Sequence, residues 1–170
     1  MMNYPLETNL LKIKHLASVR EKENYRFRTF LKGKNDEKVD RIVHRLHDEL
    51  IRQIDCTLCG NCCCQLSVEL YPKDIAVLAH LENITPESYQ ENFCRKDENG
   101  TIILNVPPCR YLEDKKCRIY ENRPEECRFF PYTYKKGFIF RLLAMITFYE
   151  ICPIVFNLME ILKDELRFRR

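Results

Sequence analysis

Ten of the 170 residues are cysteine, and four of the ten fall in one run, Cys56-Thr57-Leu58-Cys59-Gly60-Asn61-Cys62-Cys63. Two thiols separated by two residues in a tight turn can converge on one centre, while the amides of that turn point toward the sulfurs. Gly60 stands where such a turn needs a positive φ or a close approach. The N-terminus lacks the continuous apolar stretch of an export signal, and Glu7, Glu21 and Glu23 argue against a transit peptide. A cytoplasmic location is therefore expected. In a reducing compartment structural disulfides are rare, and clustered thiols mean metal or redox chemistry.

The spacing of Cys56, Cys59 and Cys62 is that of the Cys-x2-Cys-x2-Cys series that holds [4Fe–4S] clusters in bacterial ferredoxins, without the Cys-Pro three residues further on. A Cys-Pro does occur downstream, at Cys152-Pro153. The vicinal pair Cys62-Cys63 adds a constraint. In an extended segment neighbouring side chains point to opposite sides, so the pair suits two separate centres or a polynuclear one. Cys109, Cys117, Cys127 and Cys152 supply four more thiols. The candidate metal or cluster ligands are thus Cys56, Cys59, Cys62, Cys63, Cys109, Cys117, Cys127 and Cys152. Eight thiolates suit two tetrahedral sites, or one cluster plus one structural site. Cys64 could replace Cys63 in a shifted register, and Cys94 reads as a small buried residue or a free thiol.

Other chemistries are poorly supplied. His44 and His47 lie with Asp40 and Asp48 at helical spacing, but no second helix offers facing carboxylates, and a solvated flank is the expectation. Nothing marks one cysteine as an exposed nucleophile, so no catalytic residue is assigned. Only four glycines occur, too few for a glycine-rich nucleotide loop, and the radical-SAM Cys-x3-Cys-x2-Cys spacing is absent. The net charge is +3 with no large single-sign segment, so a nucleic-acid partner is not expected. The longest apolar stretch, Phe138 to Ile154, is interrupted by Arg141 and Glu150, so no membrane span is expected either.

The elements that must position the cysteines are mostly helical. Residues 7–31 carry apolar residues at imperfect helical spacing, and Lys32 to Asp36 reads as a break ending in an N-cap. Residues 37–54 form a clearer helix, with Val39, Ile42, Val43, Leu46 and Leu50 in one stripe. Ser67 to Leu70 suggests a short strand. Tyr71-Pro72-Lys73-Asp74 opens a helix to about Leu81, and Thr85-Pro86 opens another to about Phe93. Asn99-Gly100 is a turn, and Thr101 to Val106 a strand. Residues 109–135 read as loops and hairpins. Residues 138–149 fit strand or helix, and Pro153 to Phe168 a helix. The expected fold class is α+β, mostly α, with helices at both ends of a loop-rich cysteine core that holds a few short strands. A helical extension (1–55), a cysteine domain (56–155) and a final helix packed on it (156–170) are the expected parts.

The opening run, together with Cys109-x7-Cys117-Arg118-Ile119-Tyr120-Glu121-Asn122-Arg123-Pro124-x2-Cys127-Arg128-Phe129-Phe130-Pro131 and then Cys152-Pro153, resembles the YkgJ-type CxxCxxCC cysteine-cluster family. That family is associated with zinc or iron chelation and is defined by eight cysteines rather than by a reaction. A related domain occurs in enzymes that methylate flagellin lysines. The resemblance implies a metal-thiolate protein carrying an iron–sulfur cluster (4Fe–4S) or zinc/iron ions, with a redox or group-transfer role and a protein or redox partner. The rival reading is a zinc-scaffolded interaction module without catalysis. Arg118, Arg123 and Arg128 lie close to Cys117 and Cys127 in sequence and could supply donors and countercharge to the sulfurs, or pair with nearby glutamates.

Overall fold

The computed structural model describes residues 4–104 and 107–170. In chain order its helices are α1 (Leu10–Val19), α2 (Glu21–Lys32), α3 (Asp36–Leu50), α4 (Asn61–Gln65), α5 (Pro72–Leu81), α6 (Pro86–Phe93), α7 (Glu125–Phe129), α8 (Leu142–Tyr149) and α9 (Pro153–Glu165). Four short strands, β1 (Cys94–Lys96), β2 (Ile102–Leu104), β3 (Leu112–Glu113) and β4 (Lys116–Cys117), form two antiparallel pairs. The fold is α+β and mostly α, as expected. The chain divides into two compact units, Met1–Asp55 with Pro131–Arg170, and Cys56–Phe130.

In the first unit the segment read as one helix over 7–31 is two helices meeting at Arg20, whose φ of −96° and ψ of 10° leave the helical region. The apolar spacing is imperfect because Leu11, Val19 and Tyr25 are exposed, off the buried positions. The buried positions are Ile13 and Ala17 in α1 and Asn24, Phe27 and Leu31 in α2. The guanidinium of Arg20 is held by the carboxylate of Glu160. Asn35, not Asp36, caps α3 by accepting the Lys38 N–H at 2.9 Å. The ambiguous segment 138–149 is helical, a 3-10 turn (Phe138–Arg141) running into α8. Its start is set from elsewhere in the chain, because Asp40 of α3 accepts the N–H groups of Gly137 (2.7 Å) and Phe138 (2.9 Å).

Helix α9 is apolar around most of its circumference and is buried on that account. Its one buried charge is Lys163, whose side chain is 0% exposed. The ammonium donates to Glu23 Oε1 (2.8 Å), Asn24 Oδ1 (2.7 Å) and Glu160 Oε1 (2.6 Å). The Tyr149 hydroxyl donates to the same Glu160 oxygen at 2.8 Å. Burial by itself raises the Glu160 carboxyl, but Lys163, Tyr149 and Arg20 outweigh it and hold the group below its ordinary value of 4.5. A carboxylate with a lowered folded-state pKa stabilises the fold fully above its ordinary value, and that contribution is lost as pH falls through the folded value. Acid titrations followed by circular dichroism should therefore show stability falling below about pH 4.5. In Glu160→Gln this acid slope should be shallower, and an unchanged slope would assign it to other carboxylates.

The second unit packs α5, α6 and the β1–β2 pair around Leu70, Ile75, Leu78, Tyr89, Leu104 and Tyr111. The hydroxyls of Tyr89 and Tyr111 share a buried hydrogen bond of 2.9 Å. Both Pro-initiated helices begin where the sequence marks them, with Thr85 Oγ1 accepting the Ser88 N–H at 3.2 Å. The strand expected over 67–70 is reduced to one bridge, Glu69 to Ile103. Flanking bonds from Leu70 N to Ile102 O and from Leu104 N to Val68 O, both 2.8 Å, lay it along β2. The strand expected over 101–106 is observed as β2, and its last two residues lie outside the described residues. Gly100, with φ of 80°, closes the β1–β2 turn.

Candidate metal centre

The opening cysteine run folds as a 3-10 turn, Cys56–Leu58, followed by Gly60 and α4. The Cys59 N–H donates to the Cys56 carbonyl at 3.2 Å, the closed turn that the two-residue spacing favours. Gly60 adopts φ of 61°, and a Cβ there would meet the Lys115 carbonyl oxygen at 2.7 Å. The glycine therefore lets the run lie directly against the β3–β4 turn. That turn, Asp114-Lys115, has positive φ at both residues (47° and 65°). This is the two-residue hairpin geometry that Asn-Gly or Asp-Gly normally signals, and no glycine marks it in the sequence.

The expectation for the vicinal pair is corrected by α4. Cys62 and Cys63 lie in a short helix rather than an extended segment, so successive side chains diverge by about 100° instead of 180°. Their sulfurs stand 4.0 Å apart. Cys63 is half-buried, whereas Cys64, a further step around the helix, is exposed.

Backbone bonds lead from Cys63 to the downstream thiols. The Cys109 N–H donates to the Cys63 carbonyl at 2.7 Å, and the Leu112 N–H to the Cys109 carbonyl at 3.0 Å. Leu112 pairs with Cys117 across the β3–β4 hairpin. Cys127 sits on α7, whose Glu125 N–H is accepted by Asp74 Oδ1 at 3.1 Å. The other Asp74 oxygen accepts the Tyr71 N–H at 3.0 Å. A single carboxylate thus caps α5 and ties α7 to it.

The thiols of Cys63, Cys109, Cys117 and Cys127 lie within electrostatic reach of one another. The Cys62 contact, then burial, pushes the Cys63 thiol up; burial pushes Cys109 and Cys117 up, and Cys127 up to about 12. The N–H of Tyr111 works against this at Cys109 and that of Ile119 at Cys117, each two residues past its cysteine. The charge of Arg123 favours the thiolates of Cys63, Cys117 and Cys127. Its guanidinium lies 3.6 Å from the centroid of the Tyr120 ring and donates from Nε to the Tyr120 carbonyl at 2.9 Å. Arg128 donates to the carbonyls of Arg123 (2.8 Å) and Glu121 (3.2 Å), and Arg118 stands 3.8 Å from Glu113.

This donor set fits a thiophilic cation. Buried thiols that disfavour ionisation become ligands when a cation replaces their protons, and N–H donors and an arginine temper the resulting negative charge. Among the described residues no three or more Cys, His, Asp or Glu side chains stand as a ready-made coordination sphere.

The remaining candidates are placed as follows. Cys56 is exposed, and Cys59 and Cys62 are partly buried beside Gly60. Cys152 is buried in the first unit, at the N-cap of α9. Cys94 opens β1 opposite Leu104 and is partly buried against the apolar core. The solvated flank expected for Asp40 and His47 is corrected. Asp40 is buried and caps the turn at Phe138, and His47 Nδ1 lies 2.7 Å from the fully buried Thr133 hydroxyl. Both work within the first unit, where their partners are nearly a hundred residues away in sequence and hence illegible there. Asp74 is a further positioning residue that sequence reading confined to the first turn of α5. Asp74→Ala should lose one helix cap and the α7 tether, about 1–2 kcal/mol together, seen as a lower urea midpoint and faster alkylation of Cys127. An unchanged alkylation rate would show that α7 is held by other contacts.

A cysteine-rich module with this donor set belongs among the metal-chelating domains. The model of the CxxCxxCC family, described as a "Putative zinc- or iron-chelating domain", matches residues 55–153, and the chain belongs to that family. No curated protein and no solved structure matches it. Among the described residues no helix is long and apolar enough to cross a membrane.

Proposed function

We propose that this is a cytoplasmic metal-thiolate protein that uses an iron–sulfur cluster, or iron or zinc ions, for redox or protein-modifying group-transfer chemistry. Its ligands are drawn from Cys56, Cys59, Cys62, Cys63, Cys109, Cys117, Cys127 and Cys152. The observation that carries the reading is the gathering of Cys63, Cys109, Cys117 and Cys127 from four separate pieces of chain within electrostatic reach of one another. The ferredoxin spacing of Cys56, Cys59 and Cys62 supports iron–sulfur. A bound cluster would supply one-electron capacity, and the chain's own contribution is the N–H groups of Tyr111 and Ile119 and the charge of Arg123 around the sulfurs.

A second reading, zinc as pure scaffold, is favoured by the slightness of the elements involved. Strands of two and three residues and a five-residue α7 gain little stability alone. Metal and acid-labile sulfide content of protein purified without oxygen, with its visible spectrum, separates the two. Iron with matching sulfide and a brown colour supports the redox reading. Colourless protein holding zinc and no sulfide overturns it in favour of the scaffold.

A further inference from the structure

One helix face of the first unit is apolar and open to solvent. Phe140 is 83% exposed and Leu143 55%, and Ala144 and Thr147 are exposed with them. Their spacing, i, i+3, i+4 and i+7, puts them on one side of the 3-10 turn and α8, away from the buried Leu142, Met145 and Tyr149. We propose that this face joins two copies of the chain, α8 of one copy packing antiparallel against α8 of the other. The interface lies in the first unit and does not depend on which metal the cysteines hold.

The face is held out by a firmly anchored element. Phe138 and Ile139, the first two residues of the turn, are buried, so Phe140 is carried to the outer side. The Arg141 guanidinium closes the segment before the turn, donating to the carbonyls of Lys135, Lys136, Gly137 (3.1 Å) and Tyr132 (3.4 Å). Helix α8 itself, LLAMITFY, contains no charged residue. Its exposed hydroxyl is already used, because Thr147 Oγ1 donates to the Leu143 carbonyl at 3.4 Å. An outward phenylalanine and leucine on such an element are apolar surface that a partner can take from water.

The occupant follows from charge. Lys136 stands just before the turn and Glu150 is the C-cap of α8; both are exposed, and neither has an ion-pair partner among the described residues. A base at the N-terminal end and an acid at the C-terminal end reverse what the helix dipole favours, and α8 has no acid in its first turn and no base in its last. An antiparallel second copy removes both faults. It brings Glu150 of one copy to Lys136 and the positive helix end of the other, and the two-fold axis does so twice. With that axis between Leu143 and Ala144, Phe140 lies against Thr147 of the second copy and Leu143 against Ala144, whose small side chain lets the helices approach. An anionic lipid surface would attract Lys136 but repel Glu150 at the other end of the same face. Four central residues are few beside the 20–30 residues a side, about 800 Å² per partner, of a standard interface, so the dimer is weak and reversible.

The test is sedimentation velocity on the full chain, purified in reductant without oxygen so that thiol cross-links play no part, from low to high micromolar concentration. A reversible monomer–dimer equilibrium is expected. Phe140→Asp should raise the dissociation constant about tenfold or more, as losing one large buried side chain does. Its urea midpoint should stay where it was, because Phe140 stands in solvent. Lys136→Glu and Glu150→Lys should each weaken association, although each gives α8 a charge of the sign its dipole favours, so a weakened helix is not the cause. Both substitutions in one chain should restore association, since the pair re-forms with its signs exchanged. A chain that stays monomeric throughout overturns the proposal, as does a monomer that binds anionic vesicles through Phe140, which would give the face to a membrane. A dimer indifferent to Phe140→Asp, or a charge exchange that restores nothing, overturns it by placing the contact elsewhere.

Discussion

Cys127→Ser should leave the chain without the metal of this centre and with residues 56–130 largely unfolded. Cys127 lies in α7, a helix of five residues, far below the length at which a helix persists alone. Around it are strands of two residues and a hairpin turn with two non-glycine residues at positive φ. None of these elements carries its own stability. The apolar cluster of the unit draws on α5, α6 and the β1–β2 pair, while α4 and α7 contribute no fully buried side chain to it. Under the proposed function a metal cross-link supplies what these segments lack, and binding of structural zinc is coupled to folding by on the order of 10 kcal/mol. Serine offers a neutral hydroxyl that stays protonated where a thiol gives a thiolate. Metal analysis with limited proteolysis checks the result, cleavage being expected within 56–130. Cys94→Ser is the control, because Cys94 faces Leu104 and the apolar core. A Cys127→Ser protein that keeps its full metal content would remove Cys127 from the ligand set.

Lys163→Ala should destabilise the first unit by about 3–5 kcal/mol, the usual cost of removing one partner from a buried ion pair. The ammonium has no exposed surface and meets two carboxylates and an amide oxygen. Without it, Glu23 and Glu160 are like charges facing a small cavity, and the Tyr149 hydroxyl and Arg20 must satisfy Glu160 between them. The urea midpoint is the measurement, with Lys163→Met as a volume-matched companion that should recover packing but not charge balance. Lys163→Met combined with Glu160→Gln should recover part of the loss, since removing both charges leaves less uncompensated. A loss below about 1 kcal/mol in Lys163→Ala would place the network in the surface class.

Several elements could be read from local chemistry alone. The helices at Pro72 and Pro86 begin where tyrosine or threonine precedes proline, because capping and a preset φ act within one turn. Helix α3 follows from its single apolar stripe. The segment over 7–31 was legible only as helical. Its division at Arg20 depends on α9, which presents Glu160 more than a hundred residues away. The 138–149 segment stayed ambiguous for the same kind of reason, since the carboxylate that starts its first turn belongs to α3.

The sequence by itself determined the chemistry: ten thiols, their spacing, the glycine that the opening turn requires, and membership of a metal-chelating family. These are properties of residue type and short-range geometry, which do not wait for the chain to fold. How the cysteine-bearing segments lie against one another follows from tertiary structure. Rotation along α4 separates Cys63 from Cys64, the hairpin joins Cys109 to Cys117, and the two oxygens of Asp74 fasten the helix that carries Cys127. These placements are made by contacts distant in sequence, and spacing cannot encode those once the segments between them turn independently.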